Sequence, residues 1–415
     1  MQPGGSLAPF AHPAFRAIWI ANLASNLGAT LQSVGAAWLM TELTTSHQLI
    51  AGVQASTTLP IMLFGVFAGA IADNYDRRRV MLTAQIGMLV TSAVLALLSW
   101  FGHISPLLLL AITVTLGIGT ALNSPAWQAS VRQQVGLRDL PQAIALNTIS
   151  FNLARSVGPA LGGLLISLWN VSLAFAINAV SYVAMIVVLF RWRPETPPRE
   201  RRAMLPAIAV GIHFCAHSSP IRRVLTRGLV LGFGVAGYQA LIPAVVRDQL
   251  QGDEIDFGLM LGLFGIGSIV TALFISKARR RWGTEAVLTV ATLAFIVAQS
   301  LLAEAHTLAQ ALPASFIAGS GWVAALTSIN VAMQLRSPDE ILGRCLSIYQ
   351  AITFGGMAIG AWVWGLLADW RDAPFALHAA AAFLLVSLIV MRLFVPMPAP
   401  GEGRVDSETG SAKPR

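Results

Sequence analysis

Residues 49–79 read LIAGVQASTTLPIMLFGVFAGAIADNYDRRR. From Leu49 to Ala72 there is no Asp, Glu, Lys or Arg, and the run then ends in two aspartates and three consecutive arginines. A helix needs about 20 predominantly apolar residues to cross ~30 Å of hydrocarbon, so this stretch is sized for a membrane rather than for a soluble core. The arginines mark where the chain leaves the apolar layer.

Eleven further stretches of similar kind lie on either side: 15–40, 80–101, 106–131, 142–168, 171–191, 222–249, 256–277, 285–304, 307–335, 341–367 and 373–395. Composition agrees, with 55% hydrophobic and 11% charged residues where a soluble domain carries about 25% charged. That excludes a soluble enzyme, and it is the reverse of the polar, highly charged signature of disorder. Two cysteines, Cys215 and Cys345, are too few for a secreted disulfide scaffold. Transmembrane strands would alternate over about 10 residues, a pattern not seen here. The predicted fold is an all-α membrane protein with twelve transmembrane helices in two pseudo-symmetric six-helix bundles. The first span is expected to be retained rather than cleaved, because residues 1–14 hold no Lys or Arg and 15–40 is too long and polar for a signal core.

Basic residues fix an expected orientation. Of 27 Lys and Arg, 24 fall on one side of the twelve spans, only Arg247 and Arg371 on the other, and Arg155 within a span. The positive-inside rule puts both termini in the cytoplasm of a multi-pass inner-membrane protein. The net charge of +8 then reflects loops facing anionic lipid. Nucleic acid is not an expected partner, because the charges are split among short loops rather than forming one stripe.

The long polar segment after span six divides the chain. The expected domains are an N-terminal bundle (1–191), a cytoplasmic linker (192–221) with a short amphipathic helix at 204–217, a C-terminal bundle (222–395) and a disordered cytoplasmic tail (396–415). The halves echo each other at an offset of about 200 residues: Arg77 to Arg79 follows span two and Arg279 to Arg281 follows span eight. Such paired bundles hold substrate near the bilayer midplane, between the halves.

Two motifs carry more information than apolar length. Gly69, Asp73, Arg77 and Arg78 close span two, with Gly69 suited to close helix approach and Asp73 to the positive N-terminus of another helix. In span five, Gly158-Pro159-Ala160-Leu161-Gly162-Gly163 combines a proline kink with a small-residue packing face. Together with Trp38 to Thr44, Ala240 to Pro243 and Trp364 to Asp369, these residues resemble the major facilitator superfamily, in its drug-exporter branch of enterobactin-exporter-like permeases. The resemblance covers nearly the whole chain. It departs from the family's pattern at Asn74, where a basic residue is usual, and at Asp76, where glycine is usual. It implies that Asp73 latches span two against span eleven when the carrier faces outward, that Gly158, Pro159, Gly162 and Gly163 form an antiporter-type motif, and that a proton gradient supplies the energy.

Arg155 stands mid-span, where a guanidinium costs at least ~2.5–3.5 kcal/mol to insert and so marks function. Polar residues at helical spacing point to a shared wet cavity: Asn22, Asn26 and Gln32 in span one, Asn123 and Trp127 in span four, Asn152 and Arg155 in span five, Tyr238 and Gln239 in span seven, Asn330 and Gln334 in span ten, Tyr349 and Gln350 in span eleven. In span one, Asn22, Ser25, Asn26, Gln32 and Ser33 are expected on one face. All 19 Asp and Glu lie in loops or near span ends, so no midplane carboxylate stands ready to relay protons. His213 and His217 on the linker helix are two potential ligands, too few for a closed zinc site. No catalytic constellation and no phosphate-binding loop are present. The expected function is therefore not enzymatic: a monomeric secondary transporter exporting amphipathic or hydrophobic small molecules (drug, siderophore or secondary metabolite) by alternating access, using no cofactor beyond an ion gradient. Uptake by symport shares the fold, and a non-transporting membrane sensor is the alternative from another class.

Overall fold

The computed structural model describes residues 7–136, 138–193, 204–338, 340–398 and 402. All regular structure among them is helical. A short 3-10 turn (Ala8–Ala11) precedes α1 (Pro13–Leu43), α2 (His47–Asn74), α3 (Arg77–Trp100), α4 (Pro106–Gln134), α5 (Leu140–Leu168) and α6 (Val171–Arg191). The linker carries α7 (Met204–His217), and the second half contains α8 (Ser219–Ala244) with a π-helical turn (Val245–Gln249), α9 (Glu254–Ala303), α10 (Leu308–Gln334), α11 (Leu342–Trp370) and α12 (Ala373–Phe394).

The 50-residue α9 is two spans, broken at Gly283, whose φ of 81° and ψ of 166° are non-helical. Only glycine adopts that combination without strain. Ten helices among the described residues are long and apolar enough to cross a membrane. Counting α9 twice and adding α1, whose 31 residues include Asn22, Asn26 and Gln32, gives the twelve expected crossings. Side chains such as Leu107, Val180 and Val290, exposed by 70%, 68% and 64%, clad the outside as a lipid-facing surface should.

Helix starts follow from local chemistry. Ser46, Asp76, Ser105, Asn170 and Asp372 each accept a backbone N–H from the first turn of the helix that follows, satisfying donors that the helix itself leaves open. Asp76 thereby explains one departure from the superfamily pattern: its carboxylate caps α3 at Arg79 N, 3.0 Å away. Within the first bundle α1 packs on α5 and α6, α2 on α4, and α3 on α4 and α6; within the second α8 packs on α11 and α9 on α10 and α12. The bundles meet chiefly along α2–α11 and α5–α9.

The helix α7 packs on α2 and α11. A surface trough of about 680 Å³ beside it is lined by Ala209, Val210, Phe214 and Ile341 among others. Part of the tail departs from expectation. Met397 and Pro398 are buried, Arg336 Nη2 donates to Pro398 O at 3.0 Å, and Arg223 pairs with Glu402. Basic side chains at the ends of α8 and α10 thus hold the beginning of a segment expected to be disordered from 396. Residues 194–203 and most of the tail beyond 398 lie outside the described residues.

Candidate functional site: an inter-bundle cleft

Call the face that carries the chain ends the terminal face, and the opposite one the distal face. At the distal face the bundles are locked together. Asp369, closing α11, receives the Ser46 hydroxyl at 2.6 Å and the backbone N–H groups of His47 and Gln48 at 2.5 and 3.2 Å. A carboxylate of one bundle therefore sits on the positive N-terminus of α2 in the other. His47 also lies 3.2 Å from Asp369 and 3.4 Å from Asp248, and Arg247 donates to Thr44 O at 3.0 Å. Trp38 of α1 stacks on Phe257 of α9, with centroids 6.1 Å apart.

The α5–α9 crossing continues this closure toward the midplane. A Cβ placed on Gly163 would lie 2.2 Å from Glu254 O, and one on Gly265 would lie 2.4 Å from the Ser156 Cα. Only residues without a side chain permit such backbone contact. On its other side α5 meets α1, where a Cβ on Gly158 would lie 2.0 Å from Thr30 Oγ1 and one on Gly162 would lie 3.3 Å from Val34 Cβ. The Gly-Pro-x-x-Gly-Gly motif is thus a two-sided wedge, with Gly163 and Pro159 on α9 and Gly158 and Gly162 on α1.

Toward the terminal face the same stripe of α5 loses its partner. Ile144 and Phe151 are 53% and 52% exposed, Thr148 is exposed and Asn152 partly so. Apart from the contact of Arg155 with Trp322, α4 and α5 form no substantial interface with α10 or α11 among the described residues. The bundles accordingly enclose a cleft that closes distally and opens on the terminal face.

Arg155 stands at its apex. The guanidinium carbon lies 5.8 Å from the Phe264 ring centroid and 5.7 Å from that of Trp322, both rings belonging to the other bundle. Among the described residues no carboxylate pairs with Arg155. Asn22, Asn26, Asn123, Trp127, Asn152, Gln239 and Asn330 are partly buried, and Gln334 and Gln350 are exposed. The Gln239 side-chain nitrogen is buried without a partner. Asn152 donates to Thr148 O at 2.9 Å and Gln334 to Asn330 Oδ1 at 2.6 Å.

Three expected cavity residues lie elsewhere. Gln32 is buried inside the first bundle, where its Oε1 accepts from Ser92 at 2.6 Å and from Asn178 at 2.5 Å. At 100° per residue, Asn22, Asn26 and Ser33 lie within about 40° of one another, whereas Ser25 and Gln32 sit about 60–80° round the helix and face the bundle core. Tyr238 is fully buried with its hydroxyl 2.8 Å from Ser315 Oγ, and Tyr349 is buried with its hydroxyl donating to Leu326 O at 3.4 Å. All three serve as hydrogen bonds between helices, the common use of polar groups where lipid offers none.

In the α2–α3 motif, Gly69 approaches α11 at Ser347. Arg77 donates to Ala129 O at 2.6 Å, and Arg78 to Leu189 O and Phe190 O at 2.7 and 3.0 Å, the last two being carbonyls at the negative C-terminal end of α6. Asp73 lies in α2, and its side chain is outside the described residues. The His213 and His217 rings lie 4.0 Å apart between centroids and are tilted by 31°, and no third metal-binding side chain joins them among the described residues. Sequence reasoning missed Phe264 and Trp322, because apolar residues among apolar residues carry no signal. It also missed the role of Asp369, although a signal existed: Gly365-Leu-Leu-Ala-Asp369-Trp-Arg-Asp372 repeats the pattern of Gly69-Ala-Ile-Ala-Asp73-Asn-Tyr-Asp76.

Two six-helix bundles joined by a linker, meeting along α2–α11 and α5–α9 around a one-sided cleft, define a transporter of the major facilitator superfamily, not an enzyme. Residues 4–411 match the model of the transmembrane secretion effector family, and the chain belongs to it. It is 26% identical over 393 residues to the enterobactin exporter EntS of Shigella boydii, covering 92% of each chain. It is 27% identical over 263 residues to the staphyloferrin A transporter of Staphylococcus aureus, a match spanning 62% of this chain and 65% of that protein. In fold it resembles a bacterial homologue of the lysosomal transporter Spinster (TM-score 0.72, 13% identity, 96% of this chain and 99% of that one). It likewise resembles a bacterial homologue of ferroportin (TM-score 0.69, 17% identity, 92% and 98%). The protein is a multi-pass protein of the inner membrane.

Proposed function

We infer that this carrier exports amphipathic or hydrophobic small molecules from the cytoplasm by alternating access, as an antiporter driven by the proton gradient. The observation that carries the reading is Arg155, a charge with no counter-ion among the described residues, at the apex of a cleft open on one face. A cation held there is retained because something transported meets it.

The 24-to-2 distribution of basic residues supports a terminal face in the cytoplasm, with the cleft then poised to load from inside. Distal closure by Asp369, the Trp38–Phe257 stack and the glycine crossing of α5 on α9 must break for release. The Gly158–Gly163 wedge supports antiport, since a tightly packed α5 blocks leakage around the substrate. The relatives' named substrates make siderophores the first compounds to examine. Uptake into inside-out vesicles under an imposed inside-acid pH gradient tests the direction: ATP-independent accumulation of a substrate, abolished by collapsing that gradient, is expected. Accumulation inside intact cells that depends on the carrier would instead establish uptake.

A further inference from the structure

We propose that the site at Arg155 is selective for amphipathic organic anions with a planar aromatic body, such as aromatic carboxylates, and rejects cationic amphiphiles of the same shape. The substrate class rests on the export reading above; the binding preference stands on its own geometry.

Arginine keeps five N–H donors in a planar fork that matches a carboxylate at two points. Among the described residues Arg155 forms no hydrogen bond or ion pair, so the fork is unspent. Among the described residues its partners are the Phe264 and Trp322 rings, 5.8 and 5.7 Å from the guanidinium carbon. Ring faces attract a cation but leave its in-plane donors free. Described carboxylates lie at helix ends, as with Asp369, Asp248, Asp253 and Glu254 at the distal face and Asp76 and Asp139 at the terminal face. Among the described residues, the apex therefore carries a positive charge without a compensating carboxylate.

The aromatic part of the ligand has a place as well. Tyr238 backs Phe264 with rings 6.3 Å apart and inclined by 21°, and the Tyr238 hydroxyl is occupied by Ser315. Phe264 thus rests on a fixed support and presents an apolar wall beside the guanidinium, with Trp322 as the second wall. A carboxylate on the fork places its aromatic body against the exposed edges of these two rings, which are 6% and 4% exposed. An ammonium at the same point meets a half-buried like charge, which excludes it by repulsion.

The test uses three probes with one body: 4-(1-pyrenyl)butanoic acid, its primary amide and the corresponding amine. Binding to purified protein in nanodiscs is read by pyrene anisotropy, with flux measured in inside-out vesicles. Wild type is expected to bind the acid at least tenfold more tightly than the amine. Arg155→Gln should weaken the acid at least tenfold and leave the amide unchanged. Should Arg155→Gln not fold, Arg155→Lys keeps the charge without the fork and should weaken the acid three- to tenfold, again with the amide unchanged. The proposal is overturned if the amine binds as well as the acid, or if the variants weaken acid and amide alike, the signature of a packing role. If amide and amine are exported while the acid is not, export stands and the anion preference falls. If the acid binds selectively and none of the three moves, the site stands and the export reading falls.

A separate observation carries a second proposal: Asp369, in the second copy of Gly-x-x-Ala-Asp-x-x-Asp, is the latch that holds the distal face closed, at the face opposite the one where the family resemblance implies a latch at Asp73 in the first copy. The copies end α2 and α11, which pack against each other. In both, the last aspartate caps the next helix: Asp76 accepts from Arg79 N at 3.0 Å and Asp372 from Phe375 N at 2.7 Å. The middle aspartate of the second copy sits on the N-terminus of α2. For Asp73, in the first copy, the family resemblance implies the matching seat against α11 once the terminal face closes.

Spin labels at Thr45 and Thr307, both exposed on the distal face, report its opening in a protein with Cys215 and Cys345 replaced by alanine. Asp369→Asn should raise the distally open population at least fivefold, and Asp73→Asn should lower it. Combining the two should restore a ratio near that of the parent. Single variants that both shift the population in the same direction, or an Asp369→Asn distribution equal to that of the parent, would overturn the latch.

Discussion

Adding one methyl group at Gly163 should turn the carrier outward. In the structure the new Cβ would stand 2.2 Å from Glu254 O and 3.1 Å from the Gly258 Cα. Ordinary contact begins near 3.4 Å, so the overlap is about 1.2 Å, and it falls on backbone rather than on a side chain that could turn aside. Helix α9 answers with glycine at the same place: a Cβ on Gly258 would meet Pro159 O at 2.8 Å. Relieving such a clash within packed helices costs about 1–3 kcal/mol. The penalty applies only while the distal ends of α5 and α9 touch, so it acts on the conformational equilibrium rather than on bundle stability. At 1.4 kcal/mol per tenfold, Gly163→Ala should shift the population toward the distally open state by roughly 5- to 150-fold. Distances between labels at Thr45 and Thr307 measure that population, and the melting temperature of the variant should change little. A distance distribution equal to that of the parent, with flux retained, would show that the α5–α9 crossing is not part of the gate.

Three further substitutions probe what supports the site. Gln32→Leu removes the acceptor shared by Ser92 and Asn178 and should destabilise the first bundle by about 1–2 kcal/mol, seen as a lower melting temperature with the binding of a pyrene probe retained. Lost binding at an unchanged melting temperature would return Gln32 to the cleft. Gly283→Ala places a side chain at φ 81°, ψ 166° and should cost about 1–3 kcal/mol, measured as earlier thermal unfolding; an unchanged melt would mean that the break between the two spans of α9 tolerates a helical path. Glu285→Gln strips the charge facing the buried Arg227, now held at 2.7 and 2.9 Å. Breaking a buried pair costs ~3–5 kcal/mol, and here the lower end applies because Arg227 keeps Val395 O and Met391 O. Faster proteolysis at the terminal face after Met397 is the expected readout, since Met397 N loses its charged acceptor.

The fold was legible because a bilayer imposes a coarse rule that single residues obey. Each expected span coincides with a helix to within a few residues, and even the division of α9 follows from Gly283 beside Arg279 to Arg281. The site was less legible. Spacing put Asn22, Ser25, Asn26, Gln32 and Ser33 on one face, but a polar stripe wider than the cleft divides between substrate-facing and core-facing edges. Tyr238 and Tyr349 failed for a related reason: a phenol in a lipid-solvated bundle needs a hydrogen-bond partner whether or not it meets a ligand. Arg155 stood out because a lone mid-span charge has no such ordinary use. Phe264 and Trp322 did not, since only the folded chain brings rings from α9 and α10 to a guanidinium on α5.

One residue links the charge in the cleft to the distal closure. Proline lacks a backbone N–H, so Pro159 leaves the carbonyl four residues earlier, that of Arg155, without its helical donor. That carbonyl lies at the α5–α9 crossing, where a Cβ on Gly265 would stand 3.0 Å from it. The same residue therefore offers its side chain to the cleft and its main chain to the contact that must part when the distal face opens. A ligand that draws the guanidinium away from the Phe264 and Trp322 rings pulls on a helix already missing a rung at that level. Pro159→Ala restores the donor, stiffens the turn and should separate the two roles. Binding of the pyrene acid should remain within about threefold of the parent, which corresponds to less than ~1 kcal/mol, while flux falls by at least tenfold. If flux and binding instead change together, or neither changes, the missing hydrogen bond has no part in transmitting occupancy to the gate.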